Sequence, residues 1–270
     1  MHPPDHAGKR LGAAIADAVK RMSKDARKEL AAIFEDAPAA QMGAAQDGVS
    51  DRSGFVIHLL KNRWARVFED IARRSVSEMA ASVLLASDSG IRRNIEQLTE
   101  SLTIDTRFQN ERLKEVLDAS TQQAASLITR IPERFLEDVG EQTMRSITSG
   151  RGMQDLVPYL ENRYEGDIKW ARHVAMDQTR KTFASVNETQ FRAMGVEEYE
   201  WVHTQGGRYP REWHKHELNG KIFRWDDPPW IDPPGTKNRQ KGHPGTAIFC
   251  RCIAKPVFSF LKKKEQSHAA

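Results

Sequence analysis

Apolar positions set the architecture of the first two hundred residues. From residue 9 to residue 35, Leu11, Ile15, Ala18, Met22, Leu30 and Ile33 fall near one face of a helix. The small, polar, glycine-containing stretch from Ala37 to Gly54 interrupts that pattern and predicts a linker, with the first helix docked elsewhere as an appendage. A long helix is predicted over 55–86, its buried stripe traced by Ile57, Leu60, Trp64, Val67, Ile71, Met79 and Val83. Ser87-Asp88-Ser89-Gly90 reads as its stop. Weaker patterns predict helices over 91–103 and 107–130, then one over 132–149 opened by Pro132 in the first turn and closed by Gly150. A short helix at 153–164 carries Leu156, Tyr159 and Leu160. Asp167 reads as the N-cap of a last long helix, 168–194, which Gly195 ends.

Beyond Gly195 the periodicity changes. The run from Val196 to His203 partly alternates and is rich in aromatic and branched residues, which predicts a strand. Gly206-Gly207 reads as a turn. Asn219-Gly220 suits a type I′ hairpin turn leading into a second strand over 221–225. Pro228-Pro229 and Pro233-Pro234-Gly235 mark a long irregular loop, and 247–254 is the third strand. No fixed-period repeat is evident. The fold class expected is α+β, a mostly helical elongated bundle followed by a small loop-rich C-terminal module containing β-structure. The expected division is 1–54 (helix and linker), 55–195 (bundle), 196–258 (β/loop module) and 259–270 (basic tail).

Composition narrows the classes. The chain has 270 residues, 39% hydrophobic and 29% charged, as for a soluble, helix-rich protein. No apolar run approaches the length that spans a bilayer, and the N-terminal residues lack the apolar segment of a secretory signal, so synthesis in the cytoplasm is expected. Two cysteines in a Cys-x-Cys arrangement argue against a disulfide framework. The net charge of +4 is unevenly placed: residues 201–264 hold 13 Lys/Arg against 5 Asp/Glu. That points to an anionic partner, DNA being the obvious one, through runs such as Lys262-Lys263-Lys264. The competing reading is a solvated basic tail.

A series of short blocks carries a family resemblance. In order they are Ala175-Met176-Asp177-Gln178-Thr179, Gly195-Val196, Tyr199-Glu200-Trp201, and Arg208-Tyr209-Pro210-Arg211-Glu212-Trp213-His214. Leu218-Asn219-Gly220-Lys221-Ile222-Phe223, Trp225-Asp226-Asp227-Pro228-Pro229, His243-Pro244-Gly245 and Cys250-Arg251-Cys252 complete it. Over about residues 90–257 this order resembles the Mu F-like family of minor head, or head-morphogenesis, proteins of tailed bacteriophages. The resemblance implies a structural protein made in the host cytoplasm and built into the procapsid in low copy. Its implied partners are the portal protein, the major capsid or scaffolding proteins and packaged DNA, with no membrane and no small-molecule substrate. It marks Asp177, Gln178, Trp201, Arg211, Gly220, Trp225 and Arg251 as motif positions. Relatives place one histidine about five residues before the glycine. Here His214 and His216 flank that spacing, and His214, directly after Arg-Glu-Trp, is taken as the match.

The same stretch concentrates metal donors: His203, His214, His216, His243, Cys250 and Cys252 lie within fifty residues. Zinc takes four such ligands in a tetrahedron, and His214 or His216 with His243, Cys250 and Cys252 is the set considered. The competing reading makes the cysteines small buried hydrophobes on a strand and the histidines loop hydrogen-bonders. A metal-dependent nuclease would instead use His214, His216, Asn219 and Asn238 near Asp226 and Asp227, but no strong helix follows to support such a site. Tryptophans stacked on bases are a further option, against a proline-rich loop core. The polar run Asp177-Gln178-Thr179 is expected to face the small sheet and bond its loops. The sequence therefore favours a non-enzymatic head protein located in the virion, with zinc as the one cofactor in question. A DNA-binding or DNA-processing protein built on the His/Cys cluster is the alternative.

Overall fold

The computed structural model describes residues 1–35, 46–98, 111–204 and 210–258. Four helices come first: α1 (Asp5–Glu35), α2 (Gln46–Leu98), α3 (Glu111–Thr148) and α4 (Met153–Ala193). Three short strands follow, β1 (Glu198–Val202), β2 (Ile222–Arg224) and β3 (Ile253–Val257). They form one antiparallel sheet in the order β2-β1-β3, with Tyr199 opposite Phe223 on one side and Trp201 opposite Ala254 on the other. The expected α+β class is what the chain adopts. Among the described residues no helix is long and apolar enough to cross a membrane.

The helices are fewer and longer than the local signals predict, because tertiary packing overrides each supposed stop. Residues 46–54, expected in a linker, are the first turns of α2; Val49 and Ser53 are buried, and Ser50 Oγ lies 3.3 Å from Met144 Sδ. Ser87-Asp88-Ser89-Gly90 does not end α2. Ser87 Oγ is buried against the side-chain amides of Asn187, at 2.5 Å, and Gln190, while Gln190 Nε2 donates to Asp88 at 2.6 Å. A Cβ on Gly90 would meet the Met1 side chain at 2.7 Å, so the small residues mark close approach rather than a break. Pro132 sits inside α3, where buried Ile128, Ile131, Phe135 and Val139 hold the helix through the missing hydrogen bond. Asp167 lies inside α4 and caps nothing. It shares Arg163 with Asp138, at 3.3 and 2.7 Å, and burial raises its pKa.

The chain forms two compact units. One comprises Lys9–Glu78 and Gln122–Ala175, the other Met1–Gly8, Met79–Thr121 and Met176–Ala270. In the first, the predicted α1 stripe from Leu11 to Ile33 is buried. The α2 stripe there advances mostly in steps of four, so Phe68, Ala72 and Val76 are buried while Val67 and Ile71 are only half-buried. Each fully buried aliphatic or aromatic side chain contributes about 1.5–3 kcal/mol. Gly12 lets α1 approach α4, since a Cβ would stand 3.3 Å from Arg172 Cα.

The second unit holds the sheet. Its core joins Ile91 and Ile95 of α2, Phe191 of α4, Tyr199 and Trp201 of β1, and Leu218, Trp225, Ile231, Cys250 and Cys252 from the following loops. Gly195 ends α4 as expected, at φ 75°, with Val196 N–H returning to Phe191 carbonyl. Two local expectations are corrected. Asn219-Gly220 forms a type II turn, with φ −58° and ψ 130° at Asn219 and φ 78° at Gly220, closed by Lys221 N–H to Leu218 carbonyl. It joins a single π-helical turn, His214–Leu218, to β2 instead of linking two strands. The third strand begins only at Ile253. Phe249 adopts φ 57° and Cys250 N–H turns back to Ala247 carbonyl, which keeps 247–252 out of the ladder. The Gly206-Gly207 turn and the tail with Lys262, Lys263 and Lys264 lie outside the described residues.

Candidate metal centre

Three of the predicted donors converge. His214 opens the π-turn, Cys250 ends the 247–250 turn, and Cys252 precedes β3. All three are buried, and their ligating atoms lie within 4.8 Å of one another. His214 Nδ1 stands 3.6 Å from Cys250 Sγ and 3.6 Å from Cys252 Sγ. Its other ring nitrogen, Nε2, lies 2.9 Å from the Ile231 carbonyl. A carbonyl only accepts, so Nε2 carries a proton, and Nδ1 faces the two sulfurs.

The surroundings favour charge on one of the two sulfurs. Cys250 is held well below the usual thiol range, first by the hydrogen bond from the Cys252 thiol and then by the His214 ring. Cys252 is raised in turn by sharing that hydrogen bond with Cys250, with burial adding to the effect. Trp201 packs edge-on against the His214 ring at 5.1 Å between centroids. Its buried indole N–H meets no partner within hydrogen-bond range, yet lies near enough to Cys252 to favour the thiolate. The arrangement is a buried pocket of one imidazole nitrogen and two sulfurs, a donor set suited to a borderline-soft divalent ion.

The other candidates lie elsewhere. His216 is exposed on the far side of the π-turn, bonded to Glu212 at 2.9 Å. His243 Nδ1 is 3.0 Å from the Tyr199 hydroxyl and its ring packs against Trp225, so it serves the aromatic core; burial lowers its pKa. The residues weighed for a nuclease are committed locally. Asp226 pairs with Arg224 at 2.9 Å, Asp227 with Lys241 at 2.6 Å, and Asn219 Oδ1 accepts from His203 N–H at 2.8 Å.

Several motif positions hold the loops. Asp177, buried on α4, accepts the Phe249 N–H at 2.6 Å and pairs with Lys181 at 2.7 Å. Gln178 and Thr179 beside it are also buried. Arg211 donates to the Ile248 carbonyl at 3.0 Å, fixing the same turn from the opposite side. Trp225 stacks on Tyr199 at 4.3 Å, Gly220 supplies the left-handed turn position, and Arg251 is exposed while its carbonyl accepts from Thr204. The Ile231 carbonyl that orients His214 carries no sequence signal, because any residue would supply it. His203 was visible only as a donor type, and its place follows from strand register.

No curated protein and no solved structure matches the chain. Residues 137–255 match the family described as Phage Mu protein F like protein. The span takes in the end of α3, α4, β1, β2, the start of β3 and the His/Cys pocket. That segment of the chain is similar to the family whose motifs it resembles.

Proposed function

We propose that the chain is a structural, low-copy component of a tailed-phage head, joining the procapsid at the portal vertex and inner capsid surface during assembly and DNA packaging. The match over residues 137–255 carries this reading. The excess of Lys/Arg in 201–264 supports contact with packaged DNA, with Lys262, Lys263 and Lys264 at its end. A non-catalytic role is supported by the carboxylates Asp226 and Asp227, both engaged by neighbouring cations, and by His243, held in the aromatic core.

The test is sedimentation of the protein with proheads assembled in its presence, alongside capture by purified portal protein. Co-sedimentation at a few copies per particle, with retention by portal, is the expected result. Failure to enter proheads would overturn the reading. So would cleavage of DNA on adding a divalent metal, which would instead establish the DNA-processing alternative.

A further inference from the structure

We propose that His203, His214, Cys250 and Cys252 form a closed tetrahedral site for one zinc-class divalent cation, which ties the end of β1, the π-turn and the approach to β3 together. The inference stands apart from the reading of the head role. Tetrahedral zinc with its usual bond lengths to sulfur and nitrogen sets neighbouring ligand atoms about 3.6 Å apart. Both sulfur-to-nitrogen distances here, from Cys250 and from Cys252 to His214 Nδ1, are 3.6 Å.

The orientation of the ring adds a second, independent sign. A metal-bound imidazole characteristically donates its remote N–H to a carbonyl or carboxylate, which fixes the tautomer and raises the basicity of the ligating nitrogen. His214 does this through the Ile231 carbonyl at 2.9 Å. Two thiolates would balance the charge of a divalent ion, so a dry pocket can hold the assembly without a net buried charge.

Burial requires a fourth protein ligand, because structural zinc sites are closed. Strand register supplies it. Val202 and Ile253 are the last pair of the β1–β3 ladder; extending its alternation by one step sets His203 opposite Cys252, with the imidazole outside the three-donor group, so its side chain must turn inward to bind. Thr204 Oγ1 donating to the Arg251 carbonyl at 2.9 Å shows that the two segments stay together past that point. Directly opposed residues share a face, with Cβ atoms about 4.5–5.5 Å apart. His203 also shares its face with Tyr199 and Trp201, the buried positions of β1, and Trp201 contacts His214. His243 is excluded from this role by its bond to Tyr199, and His216 by its exposure.

The experiment uses the full chain, purified reduced and without chelator. Metal content by elemental analysis is expected at about one zinc per chain. Cobalt exchanged into the site should give the intense visible bands of a tetrahedral ion and a near-ultraviolet thiolate-to-cobalt band. Absence of bound metal, together with failure of the refolded reduced protein to take up zinc or cobalt at micromolar concentration, would overturn the proposal. The wild-type chain provides a control that needs no variant: chelation should lower the unfolding midpoint and expose both thiols to alkylation, and unchanged midpoint and alkylation would count against the site. Cys250→Ser and His214→Ala should abolish cobalt binding. His203→Ala should weaken it at least tenfold and shift the visible bands; unchanged affinity and spectrum would remove His203 as the fourth ligand.

Discussion

Asp177 should stabilise the turn that delivers Cys250, and its worth can be worked out from the geometry. Its carboxylate accepts the Phe249 N–H at 2.6 Å and pairs with Lys181 at 2.7 Å. A charge-assisted hydrogen bond is worth about 1.5–3 kcal/mol, and a partly exposed helical ion pair about 0.3–0.5 kcal/mol. Phe249 sits at φ 57°, a left-handed conformation that costs a residue with a Cβ about 1–2 kcal/mol. Some of that strain is released when the anchor is lost. Asp177→Ala should therefore destabilise by about 2 kcal/mol, and Asp177→Asn, which keeps a neutral acceptor, by about 1 kcal/mol. Phe249→Gly removes the left-handed penalty and, with half of its side chain already exposed, should gain about 1 kcal/mol in the wild-type background. The gain should shrink when Asp177 is already Ala, because the loop is then free to leave that conformation. Urea unfolding followed by tryptophan fluorescence gives the free energies, and amide exchange at Phe249 and Cys250 reports the local opening. Asp177→Ala within about 0.5 kcal/mol of wild type, or an unaltered Phe249 exchange rate, would refute the account.

Burial lowers the pKa of His243, with Glu188 opposing and Arg192 assisting, so the unfolded chain binds its proton more readily. The associated stability is present above pH of about 6.5 and lost as pH falls through that value toward the folded pKa. Unfolding midpoints measured across this window should fall with pH, and His243→Gln should flatten the profile. Gly220→Ala places a Cβ where nothing lies within 4 Å but at φ 78°, so it should cost about 1 kcal/mol from backbone strain alone, with Gly220→Asn costing less; thermal denaturation distinguishes the two. Phe135→Ala, at a fully buried site in α3, should cost about 3–5 kcal/mol, read by urea unfolding.

What was legible in the sequence is what depends on neighbours along the chain. The α1 stripe, the Gly195 stop and the positions of β1 and β2 all follow from spacing and local conformational preference. What misled were signals whose meaning tertiary packing reverses. Ser87 and Gly90 look like a helix end and are instead the narrow part of α2, where Asn187, Gln190 and Met1 press in. Asp167 has the identity of a cap but the position of a half-buried ion-pair partner. For the candidate site, His214, Cys250 and Cys252 were found by residue type and motif. The separation of His243 from them was not, since a histidine facing Tyr199 and one facing a sulfur look alike in sequence. The β1–β3 register that, extended by one step, would set His203 opposite Cys252 is fixed by no local pattern.

The way the chain visits its two units has a consequence for how it is made. Each of the four helices begins in one unit and ends in the other, so neither unit is encoded by a continuous stretch. During synthesis, Met1–Gly8 and Met79–Thr121 leave the ribosome well before the residues from Met176 onward that complete their unit. Ile91 and Ile95 have no Phe191 or Trp201 to cover them until about a hundred further residues have been made. The matched segment 137–255 likewise begins in one unit and omits two pieces of the other. Expressed alone it would lack Ser87, Ile91 and Ile95, leaving Gln190 and Phe191 uncovered. The span recognisable as a family is thus shorter than the span able to fold, and truncations placed at its edges should yield aggregating protein rather than a working module.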